Sequence, residues 1–524
     1  MRGYIYNKVQ GWVKGVLPFY LFTFLPFIMG CAGPTVPETF TETDRLPKIY
    51  PDYTDVTVPV NIAPLTFLLD EEADEMIARL AVGDEEKVYA GKVQPELDDW
   101  HTLVEKAKGG AISVDVYGRK ADQWTHYKPF SIYVSPDSID SYLSYRLIFP
   151  SFISYEALTI SQRCLENYDE SVIYDNVLCS FEKDGQCINC HHYQQYNPER
   201  MQFHARQNNG GTVIAYDGKI QKVNMRNDSI LSAGVYPAWH PWLNLIVYST
   251  NKTNQSFHTV DHNKIEVYDS QSDLIAYDVD RGEVTNLEND TTELEVFPAW
   301  APDGKTLYYC SAHYEKKDSA LSRVGEIVKR SKELKYNIYK KRFDPETMVF
   351  GPRELVFSAD SIGKSATLPR VSPDGRYLMF ALAEYGVFHI WHHDADLWMM
   401  TLGEEGTANG EGPAAARPLD ELNSDDTESY HSWSSNGRWV VFSSRRDDGT
   451  YTRPFFAHID KDGHGTKPFE LPSAEPDYHR EFMKCYNIPE FMRGPVTIRP
   501  QAFADVLKKE GRPVTYVSKL NAKK

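Results

Sequence analysis

Four copies of one strand–turn–strand unit predict a mainly β protein: an N-terminal β-rich domain, a short cysteine- and histidine-rich segment, and a C-terminal β-propeller of five or six blades. The copies run 236–248, 297–309, 368–380 and 430–442, spaced by 61, 71 and 62 residues. Each places an aromatic or leucine before Pro or His, then Trp or Val, then a turn, then an alternating apolar strand. Two further observations agree. Short alternating runs occur along the whole chain, such as Ile112-Ser-Val-Asp-Val-Tyr117 and Phe130-Ser-Ile-Tyr-Val134. The 524 residues are 41% hydrophobic and 25% charged, a globular composition with length for two or three domains. The net charge of −18 disfavours a general nucleic-acid partner, which needs clustered Lys and Arg against phosphate.

Residues 1–30 read as a lipoprotein signal peptide: basic Arg2, Lys8 and Lys14, then an apolar run from Val16 to Met29. That run is interrupted by Pro18 and Pro26 and is too short for a bilayer-spanning helix. Ile28-Met-Gly-Cys31 resembles a bacterial lipoprotein processing box, which implies cleavage before Cys31 and acylation of its thiol. No Asp follows Cys31, which favours the outer membrane, with the periplasmic or surface face left open. Residues 31–48, rich in Pro and Thr, read as a tether.

Residues 49–150 read as the β-rich domain, with Glu71 to Leu80 as a short amphipathic helix and a structural or docking role. Residues 151–208 form the haem-motif segment. It opens with a helical period over Ser154 to Leu165 and holds four of the seven cysteines: Cys164, Cys179, Cys187 and Cys190.

Cys187-Ile-Asn-Cys190-His191 matches the Cys-x-x-Cys-His attachment motif of c-type cytochromes. Two thiols three positions apart can form thioethers with the two vinyl groups of one haem. The adjacent His191 then falls under the iron as proximal ligand. Met201 and His204, ten and thirteen positions on, are the candidate distal ligands, without a choice between them. The expected cofactor is therefore covalent haem c. The competing readings of the pair are a redox disulfide, half a zinc site with His191 and His204, or a structural pair. Cys164 and Cys179 could form a disulfide, or remain two buried thiols.

Residues 209–500 read as the propeller. Pro-Asp-Gly304, Pro-Asp-Gly375 and Ser-Asn-Gly437 make tight turns in which Gly supplies a positive φ. The first copy departs, with Pro-Trp-Leu-Asn244 in place of the turn. Gly211-Thr-Val-Ile-Ala-Tyr216 and the chain's end supply strands for at least one more blade. Glu315 to Lys341 reads as a partly helical insertion. The stretch from His389 to Asp396 gathers three His and two Asp, and reads as a loop folded on its own backbone rather than a metal site. Residues 501–524 are a strand and a basic tail. No nucleophile elbow, phosphate loop or His-Glu-x-x-His is present.

The Ser/Ala-Pro-Asp-Gly-Lys/Arg unit resembles the repeats of TolB-type propellers. Tyr145-Arg-Leu-Ile, Gln162-Arg, Asn189-Cys-His, Met201-Gln-Phe-His204-Ala-Arg206 and Gly210-Gly-Thr resemble a family of exported TolB-like lipoproteins carrying a c-type haem motif. The resemblance implies the fold and the haem motif, and no reaction. The expected function is a membrane-tethered monohaem cytochrome for electron transfer or haem-based sensing, with the propeller docking a protein partner or ligand. The alternative is a haem-free propeller scaffold or binding lipoprotein in an outer-membrane complex. An electron carrier or binding protein is expected rather than an enzyme.

Overall fold

The computed structural model describes residues 33–150, 157–180, 185–403 and 416–521. The expected signal peptide and Cys31 lie outside the described residues.

Six antiparallel blades form a ring. Their inner strands, in chain order, are Gln186–Tyr193, Gly234–Trp239, Glu293–Trp300, Ser365–Val371, Glu428–Trp433 and Cys485–Met492. Each inner strand neighbours the next, and the sixth returns to the first, so the ring is closed. Blades 2 and 3 are also bridged directly by a parallel pairing of Ser272 with Leu294. Blade 6 is built from both ends of the chain. Tyr142–Ile148, Thr159–Cys164 and Glu170–Asp175 form its outer strands, and Cys485–Met492 is its inner one. Closure of this kind leaves only outer strands, such as Val349–Phe357 of blade 3, as sheet edges.

The propeller therefore starts near residue 142, earlier than the boundary at 209. The helical period over Ser154 to Leu165 gives way to the strand Thr159–Cys164, and the helix expected at Glu71 to Leu80 to the strand Glu75–Val82. Both lie inside sheets, where pairing on either side overrides a local pattern.

The turn chemistry is visible atom by atom. Asp303 accepts from the Lys305 and Thr306 amides, Asp374 from Arg376, and Asn436 from Arg438. Gly304, Gly375 and Gly437 take φ of 58°, 76° and 67°. In the divergent copy Trp242 stands at the Asp position, and His240, two residues earlier, makes the turn's side-chain contacts. Its Nδ1 accepts from the Trp242 and Leu243 amides, and its Nε2 donates to the Gly304 carbonyl. The repeat tryptophans staple adjacent blades: Trp300 donates to the Ala238 carbonyl and Trp433 to the Arg370 carbonyl.

The N-terminal domain is a seven-stranded sheet covered by the helix Leu97–Ala107, whose Trp100, Leu103, Val104 and Ala107 face inward. Its core runs without a break into blades 5 and 6 through Trp439, Val441, Phe456, Tyr486 and Phe491. After the inner strand of blade 6 the chain makes the helix Pro500–Leu507. It then adds parallel strands to the outer edges of blade 1 at Arg512–Pro513 and blade 2 at Thr515–Tyr516.

Candidate functional site: the axial funnel and its neck

All six inner strands bulge at one level, and each puts one non-glycine residue in the left-handed region there. These are Cys190, Tyr236, Phe297, Leu368, Tyr430 and Ile488, with φ between 47° and 57°. Such a backbone costs about 1–3 kcal/mol per residue and persists only where the surroundings hold it. Here the ring of blades does so, and the bulges turn the six side chains into one narrow axial neck.

This geometry gives Cys187-x-x-Cys190-His191 its place. Asn189-Cys-His-His-Tyr193 is one copy of the unit written elsewhere as Val235-Tyr-Pro-Ala-Trp239 and Val296-Phe-Pro-Ala-Trp300. Asn487-Ile-Pro-Glu-Phe491 is another. Reading the repeat at its second position, as aromatic or aliphatic followed by Pro or His, finds Ile488-Pro489, whereas Cys190-His191 departs from it at the cysteine.

The haem-motif side chains are distributed rather than gathered. Cys187 lies in the core between blades 6 and 1, with Tyr174, Phe203 and Phe503. Cys190 and His191 line the neck. Met201 is fully buried in the same core as Cys187 and pairs with Tyr193 and Ala215. His204 sits opposite Asn189 and Thr212, and its Nδ1 meets the Thr212 hydroxyl at 3.0 Å. The two thiols thus open into different spaces, and the neck holds room for about three water molecules. In this arrangement these residues do not fit a covalent haem.

Cys164 and Cys179 are free thiols. Thr159, across the ladder from Asp175, and Cys164 mark opposite ends of one strand, roughly 16 Å apart at about 3.3 Å per residue. Cys179 lies beyond Asp175 and touches the Ala504 carbonyl. The two thiols thus sit at different places in blade 6, as in the second of the two readings.

The histidines of 389–396 are dispersed as well. His389 meets Thr367, His392 meets Glu266, and His393 meets Asp426. Glu266 belongs to a hairpin of blade 2, paired from Leu245 to Asp278, that projects beyond its blade. Its Ile265 and Val267 pack on Ile390 and Trp391 of blade 4, against Tyr430 of the neck.

On the Asp-Gly turn face the neck widens into a funnel walled by all six blades. Blade 1 has no tight turn there. The chain from Gln194 to Arg200 instead carries Gln195 and Tyr196 at φ of 51° and 63°. Gln194 donates to the His240 and Leu243 carbonyls, and Arg200 bonds Gln194, Asp217 and Asn244, which fixes this turn on blade 2. The guanidinium of Arg493 lies 5.7 Å from the centre of the Tyr196 ring. It forms no ion pair among the described residues.

At the funnel floor Glu490 receives Arg370 at 3.0 Å and His192 at 3.1 Å. Burial raises the proton affinity of Glu490, but the charges of His192 and Arg370 outweigh it and hold the carboxyl at about 2. Arg370 donates to Glu490 through one nitrogen, and its remaining N–H groups have no side-chain acceptor among the described residues. Ser432, 8% exposed, also faces the funnel with its hydroxyl unpartnered. Arg370, Ser432, Glu490 and Arg493 carry no local signal of a site, because they are brought together only by ring closure.

No protein-family model matches the chain, and no curated protein sequence matches it. Among solved structures it resembles prolyl oligopeptidase B from Galerina marginata, at 9% identity and a TM-score of 0.33, over 57% of this chain and 39% of that one. The chain thus spans about two-fifths of that protein's length. Oligogalacturonate lyase in complex with manganese matches at 12% identity and 0.28, over 67% and 86%. Endo-arabinase from Bacteroides thetaiotaomicron matches at 12% and 0.29, over 51% and 92%. Likenesses this distant say nothing of what this chain binds or does.

Proposed function

We propose that this chain is a ligand-binding β-propeller whose functional site is the axial funnel, and that its ligand is anionic. The observation that carries this reading is the left-handed Gln195–Tyr196 turn, which seats Tyr196 beneath Arg493 beside the Arg370–Glu490–His192 cluster. Strain of this kind collects at ligand sites. One carboxylate faces two guanidinium groups, so the funnel carries positive charge on a protein of net charge −18. It draws an anion selectively, while the rest of the surface repels one. Acylation of Cys31 would hold this funnel outside the cytoplasm, as a tethered receptor or docking module.

Trp300 and Trp433 line the funnel, so tryptophan fluorescence reports occupancy. Titration with galacturonate oligomers, an acidic peptide and citrate tests the reading. At least one of these anions binds, and Arg493→Gln weakens it about tenfold or more without lowering Tm. Binding indifferent to Arg493→Gln, or no binding by any of the three, overturns it.

A haem-bearing cytochrome is the second reading, carried by the Cys187-x-x-Cys190-His191 motif itself. It requires the inner strand Gln186–Tyr193 to leave blade 1 so that both thiols reach one macrocycle.

A further inference from the structure

Behind the Arg370–Glu490 layer lies the neck chamber, walled by the six left-handed side chains. Four of these are followed by proline, at Pro237, Pro298, Pro369 and Pro489, none of which carries an N–H. The chamber nonetheless contains His191. That residue is 1% exposed, and neither ring nitrogen meets hydrogen-bond geometry with a partner among the described residues, although the Ile488 backbone lies near enough to favour its protonated form. A buried polar group left without a partner costs about 1–3 kcal/mol, and the charged side chains in the neck lining, Arg370 and Glu490, pair with each other, so His191 calls for an occupant.

We propose that the neck is a head-group subsite for a small uncharged hydrogen-bonding group, a hydroxyl or primary amide, at the leading end of the anion held by Arg370 and Arg493, with His191 as its partner. This rests on the anion-binding reading of the funnel. Size limits the head to about three water volumes. Charge is excluded because Glu490 already balances Arg370 in the same wall, and a further buried charge would stand uncompensated. A neutral imidazole offers one N–H and one lone pair. A hydroxyl or amide can both donate and accept, and so meets both.

The test uses two isosteric pairs of carboxylates, measured by calorimetry on the full chain: 4-hydroxybutyrate against pentanoate, and succinamate against succinate. In each pair the first should bind about fivefold or more tighter, the cost of leaving His191 unpaired. His191→Phe should erase both preferences, and His191→Gln should retain part of them. Should the phenylalanine variant fail to fold, the wild-type comparison stands alone. Equal affinities within the pairs, or preferences that survive His191→Phe, overturn the proposal. If none of the four binds while galacturonate oligomers, the acidic peptide or citrate binds through Arg493, the neck proposal falls and the funnel reading stands. If nothing binds, both fall.

Discussion

Replacing Glu490 by Gln isolates the electrostatics of the funnel floor. A carboxyl that titrates near 4.5 when exposed and at about 2 here contributes on the order of 3 kcal/mol at pH 7. The sign is fixed by the depressed value. The folded chain holds this proton less tightly than the unfolded chain, so the stabilisation is present above about pH 4.5 and drains away as pH falls towards 2. The same relation leaves roughly half of that at pH 3. Glu490→Gln keeps the shape and one acceptor but removes the charge that Arg370 and His192 share. Denaturant unfolding of both proteins at pH 7 and pH 3 reads the difference. The variant should be destabilised by about 3 kcal/mol at the higher pH and by roughly half that at the lower. A loss under about 1 kcal/mol at pH 7, or one that does not shrink in acid, refutes the assignment of Glu490 as a charged, doubly partnered carboxylate.

Four further outcomes follow from the same geometry. Glu295 is fully buried with both oxygens unpartnered, and burial beside Glu288 and Asp273 raises it to about 9. The folded state then holds its proton more tightly than the unfolded state, so stability falls as pH rises above about 4.5. Glu295→Gln should accordingly raise Tm at pH 8.5 and leave it nearly unchanged at pH 4, read by calorimetry. Deleting the tail from Arg512 onward exposes or removes Val514 and Leu520, 8% and 3% exposed. It should cost about 3–6 kcal/mol at ~1.5–3 kcal/mol per buried aliphatic side chain, with the circular dichroism of the propeller retained. A pyridine haemochrome spectrum of protein matured with a c-haem assembly system should show no c-type band; a band lost in Cys187→Ala would establish the cytochrome reading instead. Peptide mapping without reduction should find Cys164 and Cys179 unlinked.

Legibility tracked how local the determinant was. The Pro-Asp-Gly turns were readable because one carboxylate, one glycine and two amides within five residues define them, as Asp303 and Gly304 show. The first copy was flagged as divergent, yet the imidazole of His240 making the turn's side-chain contacts was not foreseeable, since its second nitrogen needs the Gly304 carbonyl of the next blade. The strand Thr159–Cys164 carried a helical period and was misread. Its partners Tyr142–Ile148 and Glu170–Asp175 impose the extended form.

The Cys-x-x-Cys-His match illustrates the same limit in reverse. As a five-residue string it points to haem; inside a closed ring it is the first blade's copy of a bulged inner strand. Composition, repeat spacing and turn chemistry by themselves determined that this chain is a propeller, because those signals act over a few residues and survive in any context. The funnel residues came from Tyr196, Arg370, Ser432, Glu490 and Arg493, scattered over nearly 300 positions. Only ring closure through Cys485–Met492 and Tyr142–Ile148 brings them to one axis. No local pattern encodes that contact, because its free energy exists only after the whole circle of blades has packed.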